Sequence, residues 1–106
     1  VGIGEEKQYL FNTAPRIRAL ENQVCFVACT AGGKHDMGGS TGLWQRAGHS
    51  KIINNFGDIL AESQLDSEDL VIGTLKAADL RLGRAAYPML KDRRPWMYGS
   101  LMNKDL

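Results

Sequence analysis

Residues 18–30 read RALENQVCFVACT, and the fold turns on this stretch. Arg18, Glu21 and Asn22 stand directly before a run that is apolar at both alternating positions. Val24, Phe26 and Ala28 share one face, and Cys25, Val27 and Cys29 share the other. A half-exposed strand alternates apolar with polar residues, so a run apolar on both faces predicts a strand covered on both sides. Upstream, Thr13 followed by APRIRALEN has the marks of a helix start. The Thr13 hydroxyl would cap it, Pro15 would sit in the first turn, and Ile17 and Leu20 would share one side. Tyr9, Leu10 and Phe11 are expected to pack as a turn ahead of that helix.

Both cysteines of the chain lie in the predicted strand. Four residues of extended chain separate their α-carbons by about 13 Å, too far for a disulfide. No further cysteine and no histidine pair completes a zinc spacing, so no metal site is expected. Free cysteine behaves as a small hydrophobe, and neither thiol stands on an exposed turn. Both are therefore expected to be buried packing groups, and no nucleophile is assigned.

Downstream, AGGKHDMGGSTGLWQRAG (31–48) holds six of the chain's 12 glycines and shows no period. It reads as a long loop, in which Trp44 and His35 could wall a pocket or cover the core. HSKII, NNFGD and ILAES then read as strand, turn and strand, because Asn and Gly accept the backbone angles of a tight connection. LVIGTL (70–75) reads as a further strand. Asp79 is placed as the cap of a short helix with Leu80, Gly83, Arg84 and Tyr87 at i, i+3, i+4 and i+7, ended by Pro88. Together these elements predict an α/β layer arrangement.

A chain of 106 residues, 43% apolar, has the size of one domain and could bury about 65% of its unfolded surface. Thirteen basic against 12 acidic residues leave a net charge of +1, so no global field favours nucleic acid or an anionic membrane. No apolar run approaches the roughly 18 to 20 residues of a membrane span, and VGIGEEKQ has no secretory pattern. A soluble, cytoplasmic protein is expected. The start at Val1 leaves room for this to be part of a longer chain.

Five landmarks occur in order: RALEN before a strand, a loop, GHSKIINNFGDILAE, LVIGTLKAADLRLGR, and YPMLKDRRPWMYG. Over about residues 10 to 102 this series resembles the C-terminal part of the carbon-nitrogen hydrolase, or nitrilase, superfamily. The ending is most similar to the amidase and N-carbamoyl-amine hydrolase branches. The resemblance implies the C-terminal part of a four-layer α-β-β-α sandwich, with residues 1–106 an incomplete domain and 92–106 its tail. It also implies hydrolysis of an amide, N-carbamoyl or nitrile C–N bond by a cysteine nucleophile, a glutamate base and a lysine that stabilises the oxyanion, with no cofactor. In that family the three catalytic residues precede the RALEN segment, so none is expected here, and the chain alone is expected to be inactive.

The resemblance assigns roles to particular residues. Thr30 stands where many members carry an asparagine beside the pocket, and His49 matches a histidine that some place near the active site; both are candidate substrate contacts. Arg18, Glu21, Asn22, Ser50 and Arg84 are candidate supports, with Glu21 and Asn22 holding neighbouring segments. Arg93, Arg94, Trp96 and Tyr98 are candidates for a homodimer or larger homo-oligomer interface, since guanidinium groups fork onto carboxylates and aromatic rings bury area. The same basic-aromatic cluster could be read as a single-strand nucleic-acid contact, but Asp92 interrupts it and no module signature accompanies it. The alternative from another class is a non-catalytic binding or scaffolding module built on half a sandwich.

Overall fold

The computed structural model describes residues 5–64 and 68–102. Its first element is α1 (Glu5–Asn22), which begins well before Thr13 and carries Pro15 in its interior. The start expected at Thr13 and the turn expected at Tyr9, Leu10 and Phe11 are therefore corrected. One interior proline costs a helix about 3 kcal/mol, and here packing against the sheet prevails, with Ala19 fully buried on the inner face. The helix ends by tight geometry. Val24 N–H donates to Ala19 O (3.1 Å) and Gln23 N–H to Leu20 O (3.3 Å), with Gln23 in the left-handed region at φ 51°. That pair of bonds is a Schellman ending, which turns the chain directly into the sheet.

Three strands form the main sheet: β1 (Phe26–Ala28), β4 (Lys51–Ile53) and β5 (Ile59–Glu62), antiparallel in the order β1-β4-β5. The expected β4–β5 hairpin is present. Asn54 Oδ1 accepts the N–H groups of Phe56 (3.0 Å) and Asp58 (2.9 Å), and Gly57 takes φ 81°. An added Cβ at Gly57 would lie 3.3 Å from Arg16 O, and Arg16 Nε donates to Gly57 O (2.7 Å), tying the turn to α1. The 31–48 segment is not irregular throughout: β2 (Lys34–Asp36) and β3 (Leu43–Gln45) pair as a separate hairpin. Its reversal is made by glycines and an Asp36 carboxylate that accepts Gly38 N–H (2.8 Å), a connection too short in its strands for alternation to reveal.

Residues 70–75 join no ladder, so the strand expected there is corrected. Gly73 presses on Ile52, where a Cβ would meet Ile52 Cδ1 at 3.3 Å, while Leu70 and Ile72 face outward. Helix α2 (Ala77–Ala86) is capped by Lys76, and Asp79 lies in its first turn rather than at its cap. The helix stops just before Pro88, as expected. It docks through buried Gly83 against Asn55 and Phe56, with Asn55 Nδ2 donating to Asp79 O (3.1 Å).

These elements do not close a core. Among the described apolar residues only Ala19 and Ile53 are buried, both in the layer between α1 and the sheet. Val27, on the opposite face of β1, is 63% exposed, so the two-sided cover expected for this strand is absent among the described residues. The radius of gyration is 18.4 Å and the extents are 53 × 42 × 18 Å, against about 13 Å for a compact chain of this length. A thin slab with one helix-covered face is one side of a layered fold. No helix among the described residues is long and apolar enough to cross a membrane.

Candidate functional site

The end of β1, the start of β4 and the end of β5 meet at one rim of the sheet. There the Ser50 hydroxyl accepts Thr30 N–H (2.9 Å) and donates to Thr30 O (3.0 Å), while the Thr30 hydroxyl donates to Gly48 O. One serine thus satisfies both backbone groups of the residue where β1 leaves the ladder, a position where unpaired polar groups are costly. Ser50→Ala removes both bonds, and because the site is half-buried water replaces part of the loss. We expect a loss of about 1 to 2 kcal/mol, read as a lower urea midpoint with an unchanged slope.

Two clefts open beside this latch. One, of about 600 Å³, is polar and is bordered by Cys29, Thr30, Lys34, Ser50 and Ser63 among others. The other, of about 380 Å³, lies under the β2–β3 hairpin and is bordered by Phe11, Thr30, Trp44 and Arg46. Thr30 borders both. Trp44 is thereby placed at a pocket wall, paired across the hairpin with His35, and its buried indole N–H has no acceptor among the described residues. Cys29 is exposed and Cys25 half-buried, which corrects the expectation that both thiols are buried: the strand face carrying Cys29 is uncovered.

His49 turns away from both clefts. It sits at φ 53°, and its Nδ1 lies 3.1 Å from Glu62 Oε1. The same oxygen lies 3.2 Å from Lys51 Nζ, which also donates to Asn12 Oδ1 (3.2 Å). Lys51 is 2% exposed. A buried ammonium needs a partner charge and further acceptors, and Glu62 with Asn12 supplies both. This cluster borders a third cleft, of about 540 Å³, between α1 and the sheet. Thr30 and Ser50 are therefore brought together, whereas His49 belongs to the Glu62–Lys51 cluster.

Three of the candidate supports, Arg18, Glu21 and Asn22, bond within α1. Arg18 pairs with Glu21, and Asn22 Nδ2 donates to Arg18 O (2.9 Å), all on the exposed face of α1. The tie between segments is made by the next residue. Gln23, 4% exposed, donates through Nε2 to Gly83 O (3.1 Å) and Tyr87 O (2.5 Å), and Arg84 Nε donates to Gln23 O (3.2 Å). A polar residue just past a helix end could have flagged Gln23; Lys51, a lysine inside an apolar strand, gave the same kind of signal. Arg93 and Arg94 are exposed, as are Trp96 and Tyr98 on the 3-10 helix Pro95–Met102. Among the described residues no group of three or more His, Cys, Asp or Glu is arranged to hold a metal ion.

No family model matches the chain. It is 39% identical over 85 residues to the 2-oxoglutaramate amidase of Paenarthrobacter nicotinovorans, a match covering 79% of this chain and 26% of that protein. It also superimposes on the crystal structure of a carbon-nitrogen hydrolase from Helicobacter pylori G27 with a TM-score of 0.74 and 22% identity, over 97% of this chain and 39% of that one. The chain thus spans about a quarter of the amidase and two-fifths of the crystallised hydrolase.

Proposed function

The chain belongs, over the part it spans, to the carbon-nitrogen hydrolase (nitrilase) superfamily, and on that premise we propose that it forms the C-terminal flank of an enzyme that hydrolyses a small amide. The observation that carries this reading is the 39% identity to an amidase over 85 residues. N-carbamoyl and nitrile substrates are the neighbouring chemistries. In this proposal the cysteine nucleophile, glutamate base and stabilising lysine come from polypeptide preceding residue 18. The thiolate attacks the amide carbon and ammonia leaves; water then cleaves the acyl-enzyme to release the acid and regenerate the thiol. The chain's own part is to set one wall of the pocket. The Ser50 latch fixes the backbone of Thr30, and Thr30 borders the clefts where substrate would lie. His49 acts through Glu62, holding the start of β4, rather than by touching substrate. The homo-oligomer contact at Arg93, Arg94, Trp96 and Tyr98 and a cytoplasmic setting belong to the same proposal; the exposure of both rings supports the former.

The test is a chimera in which this chain replaces the matching stretch of the Paenarthrobacter amidase. It is expected to release ammonia from 2-oxoglutaramate, while the 106-residue chain alone releases none. A chimera that melts cooperatively yet is inactive would overturn the proposal. So would turnover by the chain alone that is abolished by Cys25→Ser or Cys29→Ser.

A further inference from the structure

Backbone bonds carry the β2–β3 pairing past both ends of its strands. Met37 N–H donates to Gly42 O (2.9 Å), Arg46 N–H to Gly33 O (2.8 Å) and Gly48 N–H to Ala31 O (2.9 Å), all in register with the His35–Trp44 pair. Side chains two apart on a strand share a face, and so do direct cross-strand partners. Met37, the His35–Trp44 pair and Arg46 therefore follow one another along a single face of the ribbon, with Gly33 opposite Arg46. The half-buried Arg46 reaches across the His35–Trp44 row and donates through Nη2 to Met37 Sδ (3.4 Å).

That is a poor resting place for a guanidinium. A thioether is a weak acceptor, and among the described residues no carboxylate forms an ion pair with Arg46. In the row that the arginine crosses, the Trp44 indole N–H is buried without an acceptor among the described residues, a cost that an incoming acceptor recovers. Guanidinium and indole can only donate. Both residues border the 380 Å³ cleft beside Thr30 and Phe11, and none of the described residues bordering it is acidic. A cation would be repelled there, and a neutral ligand would leave the guanidinium unpaired. A carboxylate matches the guanidinium fork with two oxygens, and the charge-assisted bonds it accepts are stronger than one to sulfur.

We propose that Arg46 selects ligands by a carboxylate. It exchanges the Met37 sulfur for a carboxylate in the cleft beside Thr30, and its departure from the His35–Trp44 row lets Trp44 Nε1 donate to the same group. Resting on the amidase reading, this makes an amide that also carries a carboxylate the preferred substrate class. Carboxylate binding by the chain itself does not depend on that reading.

The probe is glutaramate, which has an amide at one end and a carboxylate at the other, titrated into the 15N-labelled 106-residue chain. Neutral glutaramide and inorganic phosphate are the controls. The Trp44 indole resonance, assigned with Trp44→Phe, is expected to move with glutaramate, and glutaramide should bind about ten times more weakly. Arg46→Gln should cut glutaramate affinity about tenfold and leave glutaramide as it was, a split that a merely structural arginine would not produce. Should Arg46→Gln unfold the ribbon, the comparison of the two amides on the native chain still decides. Equal affinity for the two amides, phosphate binding as tightly as glutaramate, an unmoved indole resonance, or an equal loss of both amides in Arg46→Gln overturns the proposal. If association broadens the spectrum, Trp44 fluorescence in a Trp96→Phe chain gives the same decision by the same comparisons. A titration without carboxylate preference leaves the chimera's activity as the test of the amidase reading, and an inactive chimera leaves the titration as the test of Arg46.

Discussion

Glu62→Ala is expected to lower stability by about 2 to 3 kcal/mol, a large effect for a side chain that is one-third exposed. The reason is the partner it leaves behind. Lys51 is 2% exposed and has Glu62 Oε1 at 3.2 Å and Asn12 Oδ1 at 3.2 Å. Removing the carboxylate leaves a buried ammonium with one neutral acceptor, and breaking a fully buried pair in this way costs about 3 to 5 kcal/mol. The exposure of Glu62 places the expectation below that range. His49 also loses its Nδ1 partner while held at a left-handed backbone angle. Adding Lys51→Met should recover most of the loss, because a methionine of similar length needs no counter-charge. Urea melts of the two single variants and the double variant, at one protein concentration, measure the coupling. Equal, additive losses would show that the carboxylate is not serving the buried lysine.

Gly83→Ala is expected to release α2 from the sheet at a cost of about 2 to 3 kcal/mol. Its Cβ would stand 2.5 Å from Asn55 Nδ2 and 3.2 Å from Phe56 Cε1. Asn55 is 3% exposed and spends that nitrogen on Asp79 O, so it cannot swing aside without giving up the bond that docks the helix. Within the helix alone, alanine is favoured over glycine by about 1 kcal/mol. The two effects separate experimentally. Far-ultraviolet circular dichroism should show helix content kept or raised, while hydrogen exchange at Asn55 and Phe56 accelerates. Unchanged protection at those amides would mean the close approach at Gly83 is not what docks α2.

Legibility in the sequence followed how local the determining contacts were. The NNFGD hairpin was readable because the Asn54 side chain and Gly57 make the turn by themselves. The end of α2 before Pro88 was readable for the same reason. The start of α1 was not, because Thr13 and Pro15 carry a strong local signal that packing against the sheet overrides. Residues 70–75 have the composition of a strand, but Gly73 packs on the Ile52 side chain and the segment joins no ladder. The two-faced apolar character of 24–29 predicted cover on both sides; α1 supplies one, and Val27 on the other face is exposed, because burial of a face depends on distant elements that the local pattern does not specify. Thr30 and Ser50 were singled out through family position, and the structure shows hydrogen bonds that link them. Gln23, Lys51 and Glu62 went unread because their partners are 39 to 64 residues away or are set only by strand register.

The exposed Val27 face of β1 is, under the proposed function, the face that further polypeptide would cover. Sedimentation of the isolated 106-residue chain, with dye binding to apolar surface measured on the same sample, addresses that most directly. The account predicts concentration-dependent association and strong dye binding, both falling when Val27 is changed to lysine. A monomer with a radius of gyration near the roughly 13 Å of a compact chain, a cooperative melt and no dye binding would contradict it.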